Sequence, residues 1–99
     1  MSFVVQLNCE LKEGVKESFC ENLKGELGSI VARGFPGNRG VFVAWSTKDP
    51  NKCIIQQRWL TPKHSQAYVK MRAEGNNAEW REKYFKNLVI ESYTLEEEL

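Results

Sequence analysis

The sequence describes a small chain with almost no net charge. It has 99 residues, and 14 Lys and Arg stand against 13 Asp and Glu, which leaves a formal charge of +1. Because domains usually have about 100–150 residues, we expect one domain over residues 1–99, with a modest core and no large enclosed active site. A charge this close to zero removes the electrostatic argument for nucleic acid or an anionic membrane as a partner.

The cysteines and the apolar segments exclude further classes. Cys9, Cys20 and Cys53 form no C-x-x-C motif, and His64 is the one histidine that could join them, so we expect no metal site. We interpret them as reduced thiols of a cytoplasmic protein, each a small buried hydrophobe. Neither a signal peptide nor an apolar stretch of membrane-spanning length is predicted.

The first half of the chain predicts a strand, a helix, a loop and a second strand. Apolar residues alternate over Phe3–Leu11, which is typical of a half-buried strand. A helical stripe follows, ending near Gly28 or continuing to Arg33, and its members are Val15, Phe19, Leu23, Leu27 and Ile30. The composition of Gly34–Gly40 predicts a loop, and Val41–Thr47 a strand.

The second half predicts a hairpin, helical segments and a closing strand. A polar turn, Lys48–Lys52, leads into a strand at Cys53–Leu60. Thr61 before Pro62 predicts a helix start, and that helix should stop near Gly75–Asn77. Asn77 can cap a further helix, before a strand at Val89–Leu95; the apolar repeat of that helix is Trp80, Tyr84 and Leu88.

This order of elements predicts an α+β fold of the ferredoxin-like β-α-β-β-α-β pattern, with two helices on one face of an antiparallel sheet. The other face needs a cover, and several strands are apolar at both parities. We expect the bare face to include Val4, Phe42, Ile54 and Ile90, or their neighbours of opposite parity. Since 99 residues leave no spare element, the expected cover is a second copy of the chain in a homodimer.

The third strand and second helix add a more specific pattern. Ile54–Trp59 leads into Thr61 and Gln66–Arg72, the Asp-Pro turn lies in Thr47–Lys52, and Gly34–Gly37 precedes the second strand. In these features the chain resembles the antibiotic-biosynthesis monooxygenase family of dimeric α/β barrels. The resemblance implies a homodimer and a cofactor-independent monooxygenase-like protein that acts on a small aromatic or quinol-type substrate.

The chain departs from the haem-degrading members of that family. Leu7 stands where those members have an Asn on the first strand, and no His lies near Trp80 and Arg81. Gln57 also replaces the Glu that many members carry before the end of strand three. We therefore expect no haem, metal or flavin, and no carboxylate base at position 57.

Candidate site residues follow from these comparisons and from the polar groups present. A substrate anion needs positioning, proton removal and charge stabilisation, and the candidates for these catalytic tasks are His64, Arg72, Asn8 and Gln57. The candidates for an aromatic-lined substrate pocket are Trp59, Tyr68, Met71, Trp80 and Tyr84. The alternatives are that the rings fill the core and a dimer interface, that Arg58 and Arg72 form surface ion pairs, and that the protein is a non-catalytic ligand-binding or interaction module.

Overall fold

The computed structural model describes residues 2–24, 29–75 and 77–96. Within these ranges the chain forms four strands and four helices. In chain order they are β1 (Ser2–Leu11), α1 (Lys16–Lys24), α2 (Ser29–Gly34), β2 (Asn38–Trp45), β3 (Lys52–Trp59), α3 (Pro62–Ala73), α4 (Asn77–Tyr84) and β4 (Phe85–Leu95). The predicted α+β fold with ferredoxin-like element order is confirmed.

The four strands form one antiparallel sheet in the order β2-β3-β1-β4. The register pairs Val5 with Gln57 between β1 and β3, and Val5 with Ser92 between β1 and β4. Val41 of β2 also pairs with Gln57. Because directly opposed residues share a face, this register assigns every strand residue to one side of the sheet.

One face of the sheet packs against the helices and holds the core. The most fully buried side chains of the core are Leu11, Trp59 and, from α1, Phe19. The predicted third strand is confirmed as β3, and alternate residues from Cys53 to Trp59 are buried, which is the period of two of a strand. Of the predicted apolar stripe, Phe19 and Leu23 of α1 and Val15, which directly precedes α1, pack into the core, whereas Leu27 and Ile30 lie outside the described side chains.

The start of α3 matches its sequence signal. Thr61 has extended backbone angles and its side chain accepts a hydrogen bond from the backbone N–H of His64, while Pro62 occupies the first turn. A side-chain oxygen at this position satisfies an N–H that the helix itself cannot, which is why the Thr-Pro pair begins a helix here.

Two predicted boundaries are wrong. β2 begins at Asn38, inside the predicted loop, because Asn38 pairs with Trp59 across a bulge before Gly40. β4 begins at Phe85, so Leu88 belongs to a strand and not to the helix of Trp80. The chain turns from helix to strand because Phe85 pairs with Leu11 and is buried among aromatic rings.

The second face of the sheet carries no helix among the described residues. Val4, Phe42 and Ile54 lie on it as expected, but Ile90 does not, because it pairs with Leu7 on the helix face. Val89, the neighbour of Ile90, pairs with Asn8 and lies on the second face instead. None of the helices in the described part of the chain is long and apolar enough to cross a membrane.

Candidate functional site

Two of the predicted pocket residues pack ring against ring. The centres of Trp59 and Tyr68 lie 5.2 Å apart, and Phe35 lies 5.4 Å from Tyr68 and 6.1 Å from Trp59. Trp59 Nε1–H donates to Gln57 Oε1 at 3.3 Å, in the buried part of this cluster. Gln57 therefore holds the Trp59 ring in place from the same face of the sheet.

The other predicted rings surround Phe19. Trp80 and Tyr84 lie 6.1 Å and 5.5 Å from it, and Phe85 and Trp45 complete the surroundings at 5.5 Å and 6.2 Å. Trp80 Nε1–H donates to Asn22 Oδ1 of α1 at 2.6 Å, although its ring is only partly buried. Tyr84 and Phe85 are thus buried around Phe19, whereas Trp45 and Trp80 are partly buried at the edge of the same cluster.

Arg72 lies between the two ring clusters. Its guanidinium carbon is 5.9 Å from the centre of Tyr68 and 6.0 Å from that of Trp80. Burial raises the pKa of the Tyr68 hydroxyl, and the positive charge of Arg72 acts in the opposite direction. Met71 packs against the same core. The structure thus brings Tyr68, Arg72 and Trp80 together, with a cation facing two aromatic rings.

His64 lies away from this group. It is in the first turn of α3 and Arg72 in the last, so about 12 Å of helix separates them. His64 Nδ1 is 2.8 Å from Thr61 Oγ1, and its ring packs against Gly37 so closely that a Cβ on Gly37 would lie 2.2 Å from it. The contacts of His64 are those of a side chain that fastens the loop before β2 to the start of α3.

Asn8 lies on the other face of the sheet from Gln57. Asn8 Nδ2 donates to the carbonyl of Val89 at 3.4 Å, and Asn8 Oδ1 accepts from Gln6 Nε2 at 3.0 Å. Gln56 Nε2 in turn donates to Gln6 Oε1 at 3.3 Å. The four candidate catalytic residues therefore do not converge within the chain, and three of them have identifiable structural partners.

A cavity of about 420 Å³ lies against the face that turns away from the helices. Residues of all four strands line it, namely Asn8–Glu10, Ala44–Ser46, Lys52–Ile54, Asn87 and Val89. Most of these side chains belong to the open face by register. The amide row of Gln56, Gln6 and Asn8 continues into this cavity, which makes the open face partly polar.

A second cavity, of about 330 Å³, lies on the helix side beside β2. Its apolar wall is Leu23, Val41, Val43 and Trp45. Lys24 and Arg33 also line it, and Arg33 Nη2 donates to the carbonyl of Val41 at 3.3 Å. We call this space the β2 cavity. It combines an aromatic wall with two cations, which suits a flat ligand that carries negative charge.

The β2 cavity was not predicted from the sequence. Its positive groups come from the end of α1 and from α2, while Trp45 comes from β2. Lys16 Nζ also lies 4.3 Å from the centre of the Trp45 ring. The packing of α2 on β2 and on α1 brings these residues together, and no local spacing in the sequence signals it.

Comparison with known proteins gives a consistent picture of the fold. A crystal structure from Chloroflexus aurantiacus, named as a candidate antibiotic biosynthesis monooxygenase, matches 100% of this chain over 97% of its own, with TM-score 0.75 and 15% identity. The chain shares its fold. A Deinococcus radiodurans structure with the same designation covers 98% of this chain and 95% of its own, at TM-score 0.78 and 12% identity.

A conserved protein from Methanosarcina mazei matches equally well, at TM-score 0.78 and 16% identity over 94% of this chain and 91% of its own. No protein-family model and no curated protein matches the chain. At these identities the comparisons establish the shared fold, and an activity has to be argued from the residues of this chain.

Proposed function

We propose that this protein is a cofactor-independent monooxygenase-like protein that acts on a small aromatic or quinol-type substrate bound in the β2 cavity. The observation that carries the proposal is the pairing of Trp45 with Lys24 and Arg33 around one apolar space. About 330 Å³ is at the small end of ligand pockets, which favours a substrate of one or two rings. The names of the structural neighbours support the same class of reaction.

The chemistry needs the substrate to become an electron-rich anion. Loss of a phenolic proton gives an aromatic oxyanion that can donate an electron to dioxygen. One oxygen atom then becomes a carbonyl oxygen on a ring carbon of the substrate, and the other leaves as water with the hydrogen of that carbon and the phenolic proton. Lys24 and Arg33 would favour the oxyanion, since a nearby positive charge lowers the pKa of an acid and stabilises negative charge in an apolar site.

The residues expected from the sequence form the competing location. Arg72, with Tyr68 and Trp80, also joins a cation to aromatic rings. Met71, Trp59 and Tyr84 would line a pocket there only if the packed rings moved apart, because Trp59 and Tyr84 are buried in the core. For His64, Asn8 and Gln57, a catalytic role would require them to leave the hydrogen bonds described above.

The test is oxygen uptake with naphthoquinol-type substrates, measured with an electrode. We expect Arg33→Gln to lower the rate at least tenfold. Lys63→Gln, which removes an exposed positive charge from α3, should leave the rate unchanged. Loss of activity in Arg72→Gln together with full activity in Arg33→Gln would indicate that the substrate binds at the Tyr68 and Trp80 rings. That result would refute binding in the β2 cavity.

A second candidate function is non-catalytic binding of a small ligand on the same scaffold. It is favoured by the structural engagement of Gln57 and His64, which leaves few polar groups free to move a proton. Quenching of tryptophan fluorescence by quinones separates the two functions. Binding that depends on Arg33, with no oxygen uptake for any quinol, would support the binding module and overturn the oxygenase.

We also propose that the chain is a homodimer that buries its open sheet face. Phe42 is 55% exposed there, and Val89 and Tyr93 are each 46% exposed. Apolar side chains beside a row of amides suit a second copy, which would offer the same groups in return. Phe42→Glu should give a monomer by light scattering, whereas Val69→Glu on α3 should not. A wild-type monomer at high concentration would contradict the proposal.

We infer that residues 1–99 act as one domain in the cytoplasm. The three cysteines are free thiols, which is usual where the cell keeps thiols reduced. Fractionation of cells that produce the protein should recover it with cytoplasmic markers. Recovery with secreted proteins would overturn this location.

A further inference from the structure

Cys9 and Cys53 face each other across β1 and β3. They are register partners on the helix face, and each is 4% exposed. The N–H of Leu11 donates to the carbonyl of Asn51 at 2.8 Å, two positions along in the same register. Because hydrogen-bonded and non-bonded pairs alternate in an antiparallel ladder, Cys9 and Cys53 also form a hydrogen-bonded pair.

This register fits the span of a disulfide. The Cα atoms of a hydrogen-bonded antiparallel pair are about 5.5 Å apart. Disulfides join Cα atoms at about 4.4–6.8 Å, most often near 5.5–6 Å. The two cysteines therefore need no movement of the backbone strands past each other to be joined. Cys20, on α1, has no such partner in the sheet register.

The two thiols are close enough to perturb each other's titration. The interaction with Cys53, with burial adding to it, raises the pKa of Cys9, whereas the interaction with Cys9 lowers the pKa of Cys53. Cys9 therefore keeps its proton, and its Sγ donates to the carbonyl of Leu7 at 3.6 Å, while Cys53 has the larger thiolate fraction. The charge of Lys16 acts in the same direction on Cys53, against the desolvation of the buried sulfur. Lys16 is itself only half-buried, so solvent is close to this end of the core.

We propose that Cys9 and Cys53 are a peroxide-sensitive dithiol that closes to a reversible cross-strand disulfide. Because both sulfurs are buried, only a small oxidant can reach them, and the oxidant of this proposal is hydrogen peroxide. The Cys53 thiolate attacks one peroxide oxygen, the O–O bond breaks, and Cys53 becomes a sulfenic acid while hydroxide leaves and takes up a proton. The Cys9 sulfur then attacks the Cys53 sulfur, and the sulfenic oxygen leaves with the Cys9 proton as water.

Overall, two thiols and one hydrogen peroxide are converted to one disulfide and two water molecules. A thiol donor of the cell or dithiothreitol reverses it by exchange, with its own two thiols oxidised. The proposal does not depend on whether the protein is an oxygenase, since none of its groups is used in the β2 cavity chemistry.

The experiment oxidises the folded Cys20→Ser protein with hydrogen peroxide, followed by unfolding, alkylation and intact mass. We expect both free thiols to disappear together, with a mass loss of two hydrogens, and dithiothreitol to restore both. In Cys9→Ser on the same background, Cys53 should gain oxygen instead. Added oxygen without loss of hydrogens in the Cys20→Ser protein, or two unreacted thiols, would overturn the proposal.

Peptide mapping of the wild-type chain gives a measurement that needs no variant. The three cysteines fall in three separate tryptic peptides, residues 1–12, 17–24 and 53–58. Oxidised protein should yield the first and third joined by a disulfide and the second unlinked. A link to the peptide of Cys20, or links between chains, would refute the pairing of Cys9 with Cys53.

Discussion

Replacement of Phe19 by alanine should strongly lower the free energy of unfolding. The side chain is 0% exposed and contacts four other rings at 5.5–6.2 Å. A buried Phe→Ala change costs about 3–5 kcal/mol through lost transfer energy and the cavity left behind. Ring pairs at these distances add about 0.5–1.5 kcal/mol each beyond burial, so we expect the upper end of that range.

A chain of this size has a total stability of about 5–15 kcal/mol, so the variant should be close to unfolding. Urea titration followed by circular dichroism measures the change, and Phe19→Leu, which keeps more of the volume, should lose less and remain folded. Val69→Ala, at a side chain that is 58% exposed, is the control and should change stability by less than about 0.5 kcal/mol. A loss below about 1 kcal/mol in Phe19→Ala would refute the packing argument.

Three further changes test other parts of the structure. Thr61→Ala should cost about 0.5–2 kcal/mol in urea titration because α3 loses its cap, and Thr61→Ser should recover most of it. Gly37→Ala should destabilise the fold by more than about 1 kcal/mol, because φ is +85° there and the new Cβ would meet the His64 ring. His64→Ala in the same chain should recover part of this loss. If Gly37→Ala costs the same with and without His64, the contact between the two residues is contradicted. Burial raises the pKa of Tyr68, so the folded state holds this proton more tightly than the unfolded state, and stability should fall as the pH rises above about 10. Tyr68→Phe should reduce that slope in unfolding titrations from pH 9 to about 11, and an unchanged slope would exclude Tyr68 as its source.

The elements with strong local signals were predictable. Thr61 and Pro62 begin α3 because a cap oxygen and a fixed backbone angle act within one turn. The run Cys53–Leu60 after a polar turn identified β3, although apolar residues at both parities left its buried face open. Both signals depend only on residues that are close together in the chain, so they can be recognised without knowledge of the fold.

The ends of β2 and β4 were not predictable in this way. Asn38 lies in a glycine- and proline-rich segment, and it becomes a strand residue only because Trp59 of β3 is beside it. Leu88 continues the helical repeat of Trp80 and Tyr84 in the sequence, yet the pairing of Phe85 with Leu11 and its burial beside Phe19 start a strand before it. Contacts between distant segments exceed a local helix propensity of a few tenths of a kcal/mol per residue.

The candidate sites likewise divide into features that are visible in the sequence and features that depend on the fold. Sequence reasoning identified the aromatic residues, but helical spacing cannot distinguish rings that fill a core from rings that line a pocket. Trp59 and Tyr84 are buried in packed clusters, whereas the β2 cavity depends on Lys24, Arg33 and Trp45, which come from three elements. The pairing of Cys9 with Cys53 depends likewise on the β1–β3 register.

Length, charge and the alternation of apolar residues determined from the sequence alone that this is a small α+β chain. They also determined that its sheet is apolar on both faces and that its helices can cover only one of those faces. Those properties follow from composition and from interactions between near neighbours. The tertiary structure decided which residues occupy each face, where the open cavities lie, and that His64, Arg72, Asn8 and Gln57 are spread apart. The physical reason is that side chains meet across the sheet and between layers, and the register and packing that bring them together are properties of the whole fold.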